Sequence, residues 1–534
     1  MRPLQDGKVA AHFEFTIESN AEIVTDRAAS EFAQHYDLFP KSLGQILHKF
    51  SVYELHLSLT QGHWQHNVWG YAPHPSPPGV QMWAWFLPTV SDSDSNWRGL
   101  TSTLSGLFCA SLNSIDETNT AIPTLSFHAN GFNPSHTNRS CLRYVSLTRE
   151  AVCTENLTPW SKLLPCTSKA GLATLLNALT LYNTNYHSLG IHVTLTCDQH
   201  TACSTSELKL ELKHVLTVVF DPLRKRRAQR NWSMKSLFGR TVSSPCPLSH
   251  SSTIYVDIPA GDDVEFSPLY DRRRRGEHGE LVEYDVNSRG DQDAGLNVVM
   301  KWKNEFSYPM SLQSSPLFAR SYVLAYGKEF GYLHIEVTNM GEGDVVNASL
   351  LQLVPWYFRV YISSLRIELN GEPFVMTEQL NYVPGKDRAR PHTLELLFDI
   401  PSESTVHFSV RFQKAFLRWT EHPPDANHGF YIPSAAISFV TKSSASFPRS
   451  PAAQCIYTEP QLVVMATPDF SMPYNVICFV CTIIAIAFGA IHNLTTKRFV
   501  AESRDKLTKL GELRQRLKKV FSRRTSKAQP SGQQ

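Results

Sequence analysis

The sequence predicts a mainly β (α+β) body that ends in one C-terminal transmembrane helix. Three observations carry this. Alternating runs rich in Val, Ile, Tyr, Phe and Trp recur from residue 12 to residue 419 between short turn signals. Within the body, 27–49, 94–112 and 168–183 are the helical candidates, with KAGLATLLNALTLY the best of them. One run, VICFVCTIIAIAFGAI at 476–491, has no charge and reaches membrane-spanning length with its neighbours.

The strands follow in order. HFEFTI (12–17), YELHLSLT (53–60), GVQMWAWFL (79–87), IHVTLT (191–196) and HVLTVVF (214–220) belong to an N-terminal lumenal α+β part, 1–220. Residues 221–293 read as a linker of basic and Gly/Asp-rich loops around one strand, STIYVDI (252–258). YLHIEVTN (332–339), WYFRVYISSLRIEL (356–369), TLELLFDI (393–400) and TVHFSVRFQKAFLRW (405–419) build a β-sandwich-like part, 294–468. A transmembrane helix at 474–494 and a basic cytosolic tail at 495–534 complete the chain.

Composition bounds the function classes. The 534 residues, with 42% hydrophobic and 19% charged, allow about three domains and a sizeable core. With 26 Gly and 32 Pro, a collagen-like or wholly disordered chain is excluded. The net charge of +3 hides an asymmetry, because residues 495–534 hold 12 Lys and Arg against three Asp and Glu. Lys497, Arg498, Arg504 and Lys506 follow the apolar run and Asp469 precedes it, so the positive-inside rule places the tail in the cytosol. Leu507, Leu510, Leu513, Leu517, Val520 and Phe521 recur at helical spacing among basic residues, as in a helix lying on an anionic leaflet or a solvated one. The start, MRPLQDGKVAAHFEF, shows no apolar export segment, so a lumenal body implies a truncated start. The basic runs near 224–230 and at 272–275 lack interleaved aromatics and read as solvated loops, not as a nucleic-acid surface. The RGD at 289–291 carries no weight.

Seven of the eight cysteines outside the apolar run fall between Cys109 and Cys246, which suits disulfides in an oxidising compartment. No C-x-x-C pair stands in the body, so neither a metal nor a cofactor is expected. Glycosylation candidates are Asn138, Asn231, Asn347 and Asn156, the last with Pro159 following its Thr158. No nucleophile elbow, P-loop, H-E-x-x-H or Q-A-C-x-G string stands out, so no catalytic residue is named.

Several strings are specific. FPKSLGQILHKFSVYELHLSLTQGHW (39–64), LSGLFCASLNSIDETNT (104–120) and AVCTENLTPWSKLLPCTSKAGL (151–172) resemble the PIG-T family of glycosylphosphatidylinositol (GPI) transamidase subunits. So do VPWYFRVY (354–361), DANHGFY (425–431) and YTEPQLVVMATPDFSMPYNVICFVC (457–481). The resemblance implies a non-catalytic scaffold in the endoplasmic reticulum membrane. The complex it would serve replaces a C-terminal propeptide with a GPI lipid, the chemistry residing in a caspase-like subunit, PIG-K. The resemblance also implies an interchain disulfide to that subunit at Cys153; an intrachain bond to Cys166 is the alternative. Cys197 with Cys203, and Cys166 with Cys246, are intrachain candidates whose connectivity sequence leaves open. Asp469 and Asn475 flank the mouth of the span, where they would contact the GPI lipid or cap the helix. A membrane-tethered lumenal hydrolase and a β-sandwich cell-surface receptor are the competing readings.

Overall fold

The computed structural model describes all residues except 22–23, 25–34, 130–140, 198–207, 225–229, 260, 276–278, 289–294, 309–314, 325–326, 375–378, 441–452, 468, 470, 498–506 and 526–534. The chain forms two compact units, Met1–Ala466 and Thr467–Gln534. The first is mainly β, and the second holds the long apolar helix, as the sequence predicts.

Six long strands make the first sheet: β1 (Val9–Asn20), β2 (Val52–Gln61), β3 (Gly79–Phe86), β4 (Leu142–Leu147), β5 (Tyr186–Thr196) and β6 (Lys209–Phe220). Their order is β1-β6-β5-β2-β3-β4, with two-residue strands at both edges and every pairing antiparallel. Three helices share its core: α1 (Lys41–Phe50), α2 (Ser93–Phe108) and α3 (Thr154–Lys162). Leu43, Leu47, Leu100, Leu104, Leu157 and Trp160 supply their apolar stripes, all nearly or fully buried.

Next come β7 (Thr253–Pro259), β8 (Val264–Ser267), β9 (Arg272–Arg275), β10 (Gly279–Asp285) and β11 (Val299–Trp302). Strands β7, β10 and β9 form one small sheet; β8 and β11 pair in another with Trp232–Ser233. The basic run expected as a loop is therefore strand β9. Its arginines are exposed, and Arg274 pairs with Glu283 of β10 at 3.2 Å, so opposite charges across the ladder hold it extended. The RGD string lies outside the described residues.

The sandwich comprises β12 (Leu317–Leu324), β13 (Phe330–Asn339), β14 (Val345–Val354), β15 (Phe358–Leu369), β16 (Leu380–Val383), β17 (His392–Ile400), β18 (Ser404–Lys414), β19 (Ala436–Val440) and β20 (Ala453–Tyr457). One sheet runs β12-β13-β18-β15 and the other β16-β17-β14-β19-β20, all antiparallel. Val337, Val406 and Phe408 of the first meet Leu350, Phe398 and Ile437 of the second. Phe398 and Phe408 touch edge to face at 4.9 Å.

The helix expected over 168–183 is broken into a 3-10 turn, Gly171–Leu175, and one α turn, Ala178–Leu181. Gly171 sits at φ +67°, where a Cβ would lie 3.0 Å from that of Cys246, and Asn177 caps the second turn through its side chain. Of the 27–49 expectation, α1 starts at Lys41, after the extended Pro40; residues 25–34 lie outside the described set.

In the second unit, α4 (Ser471–Thr496) contains a 23-residue apolar stretch, Tyr474–Thr496, about 34 Å long at 1.5 Å per residue. That is long and apolar enough to cross a membrane. Helix α5 (Leu507–Thr525) covers the basic tail.

Candidate functional site

Cys153 stands at the N-cap of α3 with extended backbone (φ −132°, ψ 176°), and its thiol is exposed and free of any intrachain disulfide. What fixes it is Asn156, three residues on. The Asn156 Oδ1 accepts the Cys153 N–H at 2.7 Å, as a capping residue at that spacing does. Its Nδ2 donates to the carbonyls of Phe108 (2.9 Å) and Cys109 (3.1 Å), where α2 ends with Cys109 in the left-handed region. One buried amide thus ties the start of α3 to the end of α2. The Tyr182 hydroxyl donates to the Cys153 carbonyl, and burial pushes its pKa up, so it stays a donor. Further along α3, Trp160 is buried, with its indole N–H on the Gly190 carbonyl at 3.0 Å. The backbone beneath the thiol is held on both sides.

The Cys153 segment leads from a cleft of about 480 Å³ between the first sheet and the sandwich. Arg149 and Glu150 line it, and Glu150 accepts the Ser111 N–H at 2.7 Å. The opposite wall is Pro355, Trp356, Tyr357, Phe430 and Tyr431. Four of the strings singled out in the sequence (104–120, 151–172, 354–361 and 425–431) therefore line or border one region of the surface.

The two halves of this cleft are locked together by Glu395 on β17. Its buried carboxylate accepts the backbone N–H groups of Thr124 (2.8 Å), Leu125 (3.0 Å) and Ser126 (3.1 Å), the Thr124 hydroxyl and the Asn381 amide. A buried carboxylate is tolerated there because its lone pairs are met. Beside it, the Tyr457 hydroxyl donates to Gln81 at 3.0 Å, and the Gln81 amide donates to Tyr144 at 2.9 Å. No sequence pattern announced Glu395, since the backbone groups it holds lie some 270 residues away. Asn156 did carry a signal, its spacing from Cys153, but that string also reads as a sequon.

The other predicted residues are scattered. Cys166 and Cys246 form a disulfide with Cα atoms 6.0 Å apart, so the alternative of Cys166 with Cys153 is excluded. Cys197 is disulfide-bonded, while its expected partner Cys203 lies outside the described residues, as does Asn138. Asn156 is corrected as a glycosylation candidate: it is 1% exposed and its amide is committed to two carbonyls, leaving no access for a glycan. Asn231 is half-buried and accepts the Trp302 N–H at 2.8 Å. Asn347 is exposed in a bulge of β14, at φ +55°. Asp469 accepts the Ser471 N–H at 2.9 Å, and this holds its carboxyl below the usual range. Because α4 starts at Ser471, Asn475 lies inside the helix, and the terminal hydrogen bond falls to Asp469.

Comparison with known proteins shows the family. The chain matches the family described as "Gpi16 subunit, GPI transamidase component" over residues 1–231 and 222–522. It is 39% identical to the GPI-anchor transamidase component PIGT of Homo sapiens, across 98% of this chain and 92% of that one. It is 30% identical to the GPI transamidase component PIG-T homolog of Schizosaccharomyces pombe, across 96% and 91%. With the GPI transamidase component GPI16 of Saccharomyces cerevisiae the identity is 28%, across 97% and 91%.

Proposed function

The chain belongs to the Gpi16 family of GPI transamidase components, and from that premise we propose that it is the complex's non-catalytic scaffold, joined by a disulfide at Cys153 to the caspase-like subunit PIG-K. In this reading α4 anchors the chain in the endoplasmic reticulum membrane. The body, with its glycans, lies in the lumen, and α5 lies on the cytosolic side.

The observation that carries the tether is the state of Cys153. Its thiol is exposed and free, as is that of Cys109, whereas Cys166, Cys197 and Cys246 are disulfide-bonded; between the two exposed thiols, the family resemblance of the 151–172 string favours Cys153. An exposed thiol left over in an oxidising compartment suits an intermolecular bond. Its backbone is braced by Asn156 and Tyr182, so little order is lost when a partner sulfur is attached. The linked subunit is then held at high effective concentration over the neighbouring cleft. A scaffold needs such a rigid mount, and the Glu395 clamp supplies it.

Asp469 and Asn475 remain the proposed contacts to the GPI lipid. Both are exposed at the N-terminal end of the apolar helix. A charge reversal at Asp469 that left transamidation and assembly intact would remove that proposal.

The deciding experiment is a non-reducing pull-down of the tagged full-length chain from endoplasmic reticulum membranes. A reducible band containing a caspase-like subunit, lost in Cys153→Ser, is expected. A band that persists in Cys153→Ser overturns the assignment of the tether. Recovery of the chain with no transamidase subunit overturns the scaffold reading.

A further inference from the structure

A second cavity, of about 320 Å³, lies against the first sheet, lined by Ala10, Phe13, Trp64, Leu172, Phe238 and Ile254. Three metal-ligating side chains meet on its wall. His12 and Glu14 are two apart on β1, so they share one face of the strand. His74, from the loop before β3, stacks on His12 with ring centroids 5.5 Å apart. The Nε2 atoms of His12 and His74 lie 3.9 and 3.6 Å from Glu14 Oε2, and one ligand atom from each residue lies within 4.8 Å of the others.

These separations exceed those of good hydrogen bonds, which end near 3.2 Å. They come close to the edge of a tetrahedron around a zinc ion, about 3.4 Å for bonds of about 2.0–2.1 Å. The surroundings prepare the same atoms. His12 Nδ1 bonds the Thr217 hydroxyl at 2.9 Å, the outer-shell partner that fixes a ligating imidazole and leaves its other nitrogen free. Among the described residues, His12 Nε2 is buried with no hydrogen-bond partner, an unmet polar atom beside the cluster. The outer face of His74 is covered by His192 at 5.3 Å, and His192 is held through His56 to Glu54 by two contacts of 2.9 Å. The nearby Lys213 ammonium is occupied by Glu211 at 2.6 Å.

We propose that His12 Nε2, Glu14 Oε2 and His74 Nε2 bind one divalent cation of the zinc class, with a fourth position open to the cavity and filled by water. Two imidazoles and one carboxylate form a borderline donor set that favours zinc over magnesium or calcium. The ion would pin the loop carrying His74 onto β1. This site is independent of Cys153 and of the scaffold reading.

The test uses the purified full-length chain in detergent, stripped with chelator and titrated with zinc chloride by calorimetry. Bound metal is counted by elemental mass spectrometry. One high-affinity equivalent is expected in the wild type, with affinity at least about tenfold weaker in Glu14→Gln and His74→Ala. Zinc-edge X-ray absorption of the wild type should show nitrogen and oxygen neighbours, two of them imidazole. No retained zinc, an equal affinity in folded variants, or sulfur in the first shell would each overturn the site. Should a variant fail to fold, the wild-type absorption spectrum decides alone.

Discussion

Asn156 shows how one side chain settles two questions. Its amide satisfies the Phe108 and Cys109 carbonyls and the Cys153 N–H, so truncation leaves three backbone groups without that partner. Asn156→Ala is expected to cost about 1–3 kcal/mol, read as a lower melting temperature. Glycopeptide mass spectrometry should find Asn156 bare and Asn347, exposed in its bulge, modified. His214 is a second case. Among the described residues neither of its buried ring nitrogens finds a hydrogen bond, it meets Trp160 of α3 edge-on at 5.5 Å, and burial lowers its pKa to about 3. The unfolded chain therefore binds this proton first. The stability contribution of neutral His214 is complete above about pH 6.5 and is lost as pH falls toward 3, at roughly 1.4 kcal/mol per unit of pKa difference. His214→Leu should flatten the fall in melting temperature across that window. An unchanged profile would assign the acid sensitivity to other groups.

Among the elements, α1 and α2 cross where Gly99 faces Phe50. A Cβ at Gly99 would sit 2.3 Å from the Phe50 ring, so the close approach requires a residue without a side chain. Gly99→Leu should destabilise by about 1–3 kcal/mol through overpacking. Gly106, two turns along the same helix, has open space around its position. Gly106→Ala should stabilise by about 0.5–1 kcal/mol, because alanine costs less chain entropy in a helix. Denaturant unfolding of both variants checks the pair. The long strands were legible from alternation, with one instructive exception. In β2 the polar face, Glu54, His56, Ser58 and Thr60, is buried as fully as the apolar one. The loop carrying Ser76 and His74 covers it, and Ser76 bonds Thr60 and Ser188 at 2.8 Å each. Alternation reports polarity, and here polarity marks a hydrogen-bonded interior rather than a wet surface.

For the whole body, the consequential feature is the join between the first sheet and the sandwich. Glu395→Ala removes the acceptor of three backbone N–H groups at 124–126 and should cost about 2–4 kcal/mol. Hydrogen exchange at Leu125 and Ser126 should accelerate well beyond the rest of the first sheet. Uniform acceleration would mean that the join is not a separable unit. Strand β14 explains why this join was hard to read. Ala348 and Leu350 face the sandwich core, while Leu351 and Leu353 pack with Ala121, Tyr144 and Tyr457. A strand covered on both faces loses clean alternation, and in β14 Asn347, Ser349 and Gln352 interrupt the apolar residues irregularly, so no period of two marks it.

By itself the sequence determined the β-rich body, the apolar helix, the basic tail and, through its matching strings, the family. These are written in neighbouring residues, because periodicity, composition and motif are local properties of the chain. Only the tertiary structure showed Asn156 as a buried brace between α2 and α3 and joined Cys166 to Cys246. It alone broke the 168–183 helix at Gly171, turned the arginine run into β9, and joined Glu395 to a loop some 270 residues away. It also gathered His12, Glu14 and His74 on one cavity wall. Each of these depends on which distant groups share a buried space, and a buried polar atom takes whichever partner the fold brings to it, whatever its separation along the chain.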